Sequence, residues 1–143
     1  MSYITQTDFV PGQMTEDRLV QLTDDDKDSV ADAGVVAKAI QDAEAEINGY
    51  VATRYAVPIA APVPDLVRKL DIDITIYNVW RRREKVPELV RTAYEDAVKK
   101  LEGIAKGTIT LGVDPAPAES TKSSAGETMG DERVFTRDKL GSF

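Results

Sequence analysis

Neither cysteine nor histidine occurs in the 143 residues. The first absence removes disulfide frameworks, thiol nucleophiles and thiolate metal sites. The second removes the commonest general base and the commonest metal ligand. No stretch approaches the ~18 consecutive apolar residues of a membrane span, and the opening MSYITQTD has neither the basic nor the apolar region of a signal peptide. A formal charge of −7 is the wrong sign for a protein whose main business is gripping nucleic acid. These exclusions leave a soluble, cytoplasmically made helical domain with enough chain for one core. The expectation is a protein with no enzymatic activity, no cofactor and no membrane partner; a small hydrolase, or a metal-dependent activity carried by carboxylates alone, remains a distant alternative.

What the chain does have is helical periodicity, and it is densest in Pro62 to Lys85. Val63, Leu66, Val67, Leu70, Ile74 and Tyr77 fall on one narrow face, and from Ile72 onward Ile72, Ile76, Val79 and Trp80 fall on nearly the opposite one. A helix with two apolar faces has neighbours on both sides, so this segment is the central helix of a small bundle. Pro64 and Asp65 suit its start, and Arg81, Arg82, Arg83 and Lys85 suit the negative end of its dipole.

The other elements arrange themselves around it. Thr5 with Asp8 fits a capping box closed by Pro11-Gly12, and Thr15 caps a short helix over Glu16 to Leu22. Asp32 caps a long helix to about Arg54, with Val36, Ile40, Ala43, Ile47 and Tyr50 as its stripe. Arg54, counted on in the same phase, lands in line with that stripe. Pro87 opens the last long helix, which carries Val90, Ala93, Tyr94, Ala97, Val98, Leu101 and Ile104 inward and ends at Gly107. Thr108 to Leu111 alternates and predicts one short strand. The expected fold is therefore all-α: a small bundle of two short N-terminal and three long helices, with one short β-strand and an extended C-terminal arm. The helical domain spans 1–112 and the arm spans 113–143.

Four patterns that suggest chemistry fail on inspection. The two short N-terminal helices carry Asp8, Glu16 and Asp17 against Arg18, so they do not fit helix-turn-helix binding to phosphate. A calcium loop started at Asp24 puts Ser29 where glycine is needed and Val35 where glutamate is needed. Asp71 and Asp73 are two residues apart on a helix and so point to different faces, and Gly107 to Gly112 lacks the Lys-Ser/Thr of a phosphate loop.

After Val113 the composition shifts. DPAPAESTKSSAGETMGDE has almost nothing to bury and reads as a linker. It leads to an apolar-basic tip in which Arg133, Val134, Phe135, Arg137, Leu140 and Phe143 are the expected docking residues.

At this point the chain resembles the neck adaptor family of Mu-like bacteriophages and prophages. The resemblance covers nearly the whole chain. It is carried by Tyr3-Ile4-Thr5 with Leu22-Thr23, by Ile47-Asn48-Gly49-Tyr50 with Arg54-Tyr55 and Pro58, by Asp73-Ile74 with Tyr77, and by Arg133-Val134-Phe135-Thr136-Arg137-Asp138. It implies a virion protein, made in the host cytoplasm and placed in the neck, that forms a ring beneath the portal as a head-tail connector. The implied partners are the portal protein, neighbouring copies of itself and a downstream neck or tail-completion protein, with genomic DNA passing through unread. The aspartate run at 24–28 and the Arg81–Arg83 cluster depart from the family's pattern. The competing expectation is a helical cytoplasmic binding or regulatory module that docks a partner through its tail.

Two further expectations come from the residues themselves. Arg54, in phase with a buried stripe, is expected to pair with Asp73 of the central helix. Arg81, Arg82 and Arg83 either complement the helix dipole or meet an acidic patch on a portal or neighbouring subunit.

Overall fold

The computed structural model describes residues 2–83 and 85–116. After a single 3-10 turn at Gln6–Asp8 come four helices: α1 (Glu16–Thr23), α2 (Ala33–Val51), α3 (Asp65–Trp80) and α4 (Glu88–Lys106). Their starts follow the capping chemistry. The Thr5 backbone N–H donates to Asp8 Oδ2 at 2.7 Å, the Arg18 N–H to Thr15 Oγ1 at 3.3 Å, and the Gly34 N–H to Asp32 Oδ1 at 3.1 Å. Pro64 and Pro87 stand just before α3 and α4, where a missing N–H costs nothing.

α3 is central, with buried residues on both faces. Val67, Leu70 and Ile74 join Ala43, Ile47 and Val51 of α2 and Ala97, Leu101 and Ile104 of α4 in one core cluster. Ile72, Ile76 and Val79 join Leu19 and Leu22 of α1, Val36, Ala39 and Ile40 of α2, and Ile4, Phe9 and Met14 in a second. The first half of α2 thus serves one cluster and its second half the other. Burying a large aliphatic side chain contributes about 1.5–3 kcal/mol, so these two clusters supply most of the drive to fold.

Two expectations need correction. Among the described residues there is no strand, because Thr108 to Leu111 is used in ending α4. Gly107 takes a left-handed conformation (φ 80°), and the N–H groups of Thr108 and Ile109 both return to the Gly103 carbonyl, at 2.9 and 3.1 Å. The alternation still has a meaning: Thr108 and Thr110 are exposed while Leu111 is buried.

The second correction is the end of α2. It stops at Val51, three residues before Arg54, in a tight turn where the N–H groups of Arg54 and Tyr55 both reach the Val51 carbonyl. The turn takes Arg54 out of phase with Val36 and Ile47, and its side chain is exposed.

Candidate interaction surfaces

Tyrosines tie the first cluster together across long sequence separations. The Tyr3 hydroxyl donates to Asn48 Oδ1 at 2.6 Å and accepts the Ile59 N–H at 2.9 Å, while its backbone N–H donates to Glu44 at 2.6 Å. The Tyr55 hydroxyl accepts the Leu111 N–H at 3.2 Å. Tyr94 stacks on Tyr77 with ring centroids 4.0 Å apart and donates to Glu46 at 2.9 Å. Burial, followed by the Glu46 carboxylate, pushes the Tyr94 phenol up to about 12, so it stays a donor throughout the neutral range. Tyr3, Asn48 and Tyr55, which carry much of the family resemblance, are therefore structural ties.

Arg54 and Asp73 do not form the expected pair. Asp73 accepts from Lys69 one turn back at 2.8 Å. Arg54 instead lies over the end of α4, where a Cβ built on Gly107 would fall inside its guanidinium. That site is the negative end of the α4 dipole, where a cation is favoured. Gly107 is required there for its positive φ, and a larger residue would also displace the Arg54 guanidinium.

The arginine cluster is largely spoken for within the chain. Arg82 donates to the Leu22 carbonyl at 3.2 Å and to Asp25 at 2.8 Å. Arg83 donates to the Asp24 carbonyl at 2.7 Å and also to Asp25. These bonds, first from Arg83 and then from Arg82, hold the Asp25 carboxyl below its ordinary range. The cluster clamps the α1–α2 loop onto the end of α3, a role that sequence reasoning missed because the partners lie 57–60 residues apart. Arg81 is left exposed at a cleft shared with Val35, Lys38, Asp42 and Asn78.

Within that loop, carboxylate oxygens of Asp24, Asp26 and Asp28 lie within 4.8 Å of one another. Asp24 already accepts the N–H groups of Lys27, Asp28 and Ser29, at 2.6, 3.2 and 3.1 Å. Its oxygens shape the turn, in which Lys27 and Ser29 adopt φ of 65° and 64°. Repulsion from Asp28 raises the Asp26 carboxyl.

Asp71 is fully buried in α3, with Oδ2 unpartnered and Oδ1 only 3.5 Å from the Thr75 hydroxyl. Desolvation, and then the nearby Glu44 charge, raise its carboxyl to about 8, so it is mostly protonated at neutral pH. The signal was present in the sequence: Asp71 and Thr75 are four apart, on the line between two apolar faces that are both covered.

On the α1 side of α3 the cover is incomplete. A groove of about 200 Å³ is lined by Gln13, Asp73, Ile76, Leu89, Val90 and Ala93. Leu89, at its lip, is 81% exposed.

The chain's exit is also fixed. Val113 and Asp114 lie along Tyr55, Ala56, Ile59 and Ala60, and the Ala116 N–H donates to the Arg54 carbonyl at 2.9 Å. Val113, Asp114 and Ala116, among the first residues of the expected arm, thus rest on their own subunit. The expected docking residues Arg133, Val134, Phe135, Arg137, Leu140 and Phe143 lie outside the described residues. No helix among the described residues is long and apolar enough to cross a membrane.

Comparison with known proteins gives a consistent answer. Residues 3–129 match the family described as Bacteriophage Mu, Gp36. Gene product J of Escherichia phage Mu is 29% identical over 143 residues, covering 99% of each chain. The Mu-like prophage FluMu protein gp36 of Haemophilus influenzae is 31% identical over 101 residues, covering 69% of this chain and 70% of its own length.

Proposed function

This chain belongs to the phage Mu Gp36 family, and from that premise we propose that it is a structural head-tail connector. In this reading it forms an oligomeric ring beneath the portal in the virion neck. The ring extends the DNA conduit and offers the tail its attachment surface. Its partners are the portal protein, neighbouring copies and a downstream neck or tail-completion protein. The net charge of −7 suits a conduit, because an acidic wall repels phosphate and lets the genome slide through unbound.

One observation carries the reading: among the described residues every helix is already engaged in an apolar cluster. Two apolar clusters account for all four helices, yet the sequence beyond Ala116 holds Val134, Phe135, Leu140 and Phe143 beside Arg133 and Arg137. Apolar side chains placed at the end of a linker suit contact with another molecule. Rings close through contacts in which one surface meets a different surface of the next copy, and a bundle with a distant tip provides two such surfaces.

The test is genetic and microscopic. A phage lacking this gene should accumulate filled heads and separate tails, and complementation should restore joined particles. The purified chain, alone or with portal, should give rings by negative stain. Normal virions from the deletion would overturn the connector reading and favour a regulatory module.

A further inference from the structure

The groove between α3 and α4 borders Leu89, the most exposed large apolar side chain among the described residues. Its floor is Ile76, from the α3 face that α1 covers, and its walls are Val90 and Ala93. The opening follows from lengths: α1 has 8 residues and α3 has 16, so α1 cannot roof the whole face. Asp73, paired with Lys69, lines the groove, and the highly exposed Glu88, with Arg91 3.9 Å away, flanks Leu89. The site calls for an apolar side chain.

We propose that the groove receives the C-terminal tip, residues 133–143, of a neighbouring copy, with Phe135 entering between Ile76, Leu89 and Val90. The tip supplies such side chains: Val134 and Phe135 lie side by side, with Leu140 and Phe143 following. The space is sufficient, since a cavity of about 150 Å³ takes a benzene ring and this groove measures about 200 Å³. The tether is long against the bundle itself, whose longest helices have 19 residues. From Ala116 to Phe135 the chain extends at most ~60 Å, at about 3.3 Å per residue. The groove lies at the start of α4, ~27 Å along that helix from Gly107 at 1.5 Å per residue. A tip at one place and a groove at another make a head-to-tail contact, the kind that closes a ring. The inference rests on the connector reading and names the contact within it. The same reach lets a tip fold back into its own groove, and the experiment separates the two.

A chain without cysteine makes the test clean. Full-length Leu89→Cys and Phe135→Cys chains, one of them tagged, are mixed and oxidised. The mixture should give a disulfide-linked mixed dimer about tenfold above the same experiment with Lys99→Cys, an exposed position on the same helix, as expected when a docked contact raises the effective concentration. Leu89→Asp should remove tip docking while leaving the melting curve in place, because that side chain is mostly in water already. An intramolecular disulfide in the Leu89→Cys/Phe135→Cys double variant, with no mixed dimer, would overturn the proposal in favour of self-capping. Rings that form with no cross-link above the control would overturn the groove assignment and spare the connector. Cross-linked dimers from a protein that makes no ring, alone or with portal, would support the groove and count against the connector.

Discussion

The two apolar faces of α3 are covered in different ways. One is sealed by two helices of 19 residues, α2 and α4, and cross-tied by Tyr3, Tyr55 and Tyr94; Val67, Leu70 and Ile74 on it are fully buried. The other is covered by the short α1, by the N-terminal segment around Phe9 and Met14, and by a loop held down by arginines. It ends in an open groove. The first face has the economy of a finished core. The second keeps apolar surface at its margin, which is where a bundle that must also assemble would place its contacts.

The largest expected effect lies between the faces, at Asp71. Its folded-state carboxyl, near 8, stands about four units above the ordinary value of 3.8. The folded protein therefore binds this proton more tightly than the unfolded chain does. That contribution is fully present below about pH 3.8, declines as pH rises, and is gone above about pH 8. Asp71→Asn keeps the shape without the titration. It should match the parent near pH 4 and exceed it by up to about 5 kcal/mol at pH 8, at about 1.4 kcal/mol per unit. Urea melts across that range give the answer; a constant difference at all pH values would show that Asp71 is solvated.

Next come the faces themselves. Ile74→Ala opens a cavity in the sealed cluster and should cost about 2–5 kcal/mol. Ile76→Ala, at the floor of a groove that water already enters, should cost about 1–2 kcal/mol because little new cavity forms. Equal losses in denaturant melts would erase the distinction between the two faces.

The ties come last, with an effect at Tyr3 comparable to that at Ile76 and the smallest at the arginines. Tyr3→Phe leaves the Ile59 N–H without its acceptor, and an unsatisfied buried donor costs about 1–3 kcal/mol. Replacing Arg82 and Arg83 with glutamine acts on exposed pairs, so global stability should barely move. Amide exchange should instead accelerate at residues 25–30, and unchanged protection there would mean that the loop holds its shape through Asp24 alone.

Much of this fold was legible because it is written locally. The caps at Thr15 and Asp32, the stop at Gly107 and the two stripes of α3 each depend on residues within a turn or two of one another. The failures share a cause as well. Arg54 was placed by extending a helical phase past Val51, and a three-residue turn is enough to undo such an extrapolation. The Thr108–Leu111 alternation correctly marks one buried side, but a ladder needs a partner that periodicity alone does not reveal. Arg82 and Arg83 read as a basic patch because their acceptors, Leu22 and Asp24–Asp25, are distant in sequence. The groove was invisible for the same reason: Leu89 looks like one more apolar residue until the shortness of α1 leaves it uncovered.

The hydrogen bond from Ala116 to Arg54 bears on how the domain carries mechanical load. A pull on the C-terminal chain does not first peel α4 from its last turn. It meets the bond to the α2 end of the bundle, and behind it the Leu111–Tyr55 bond, both anchored in residues 54–55. Force applied at the tail is thereby passed across the bundle before it reaches the last turn of α4. For a subunit held in place by its tail, a load would strain these two bonds before it began to unwind a helix.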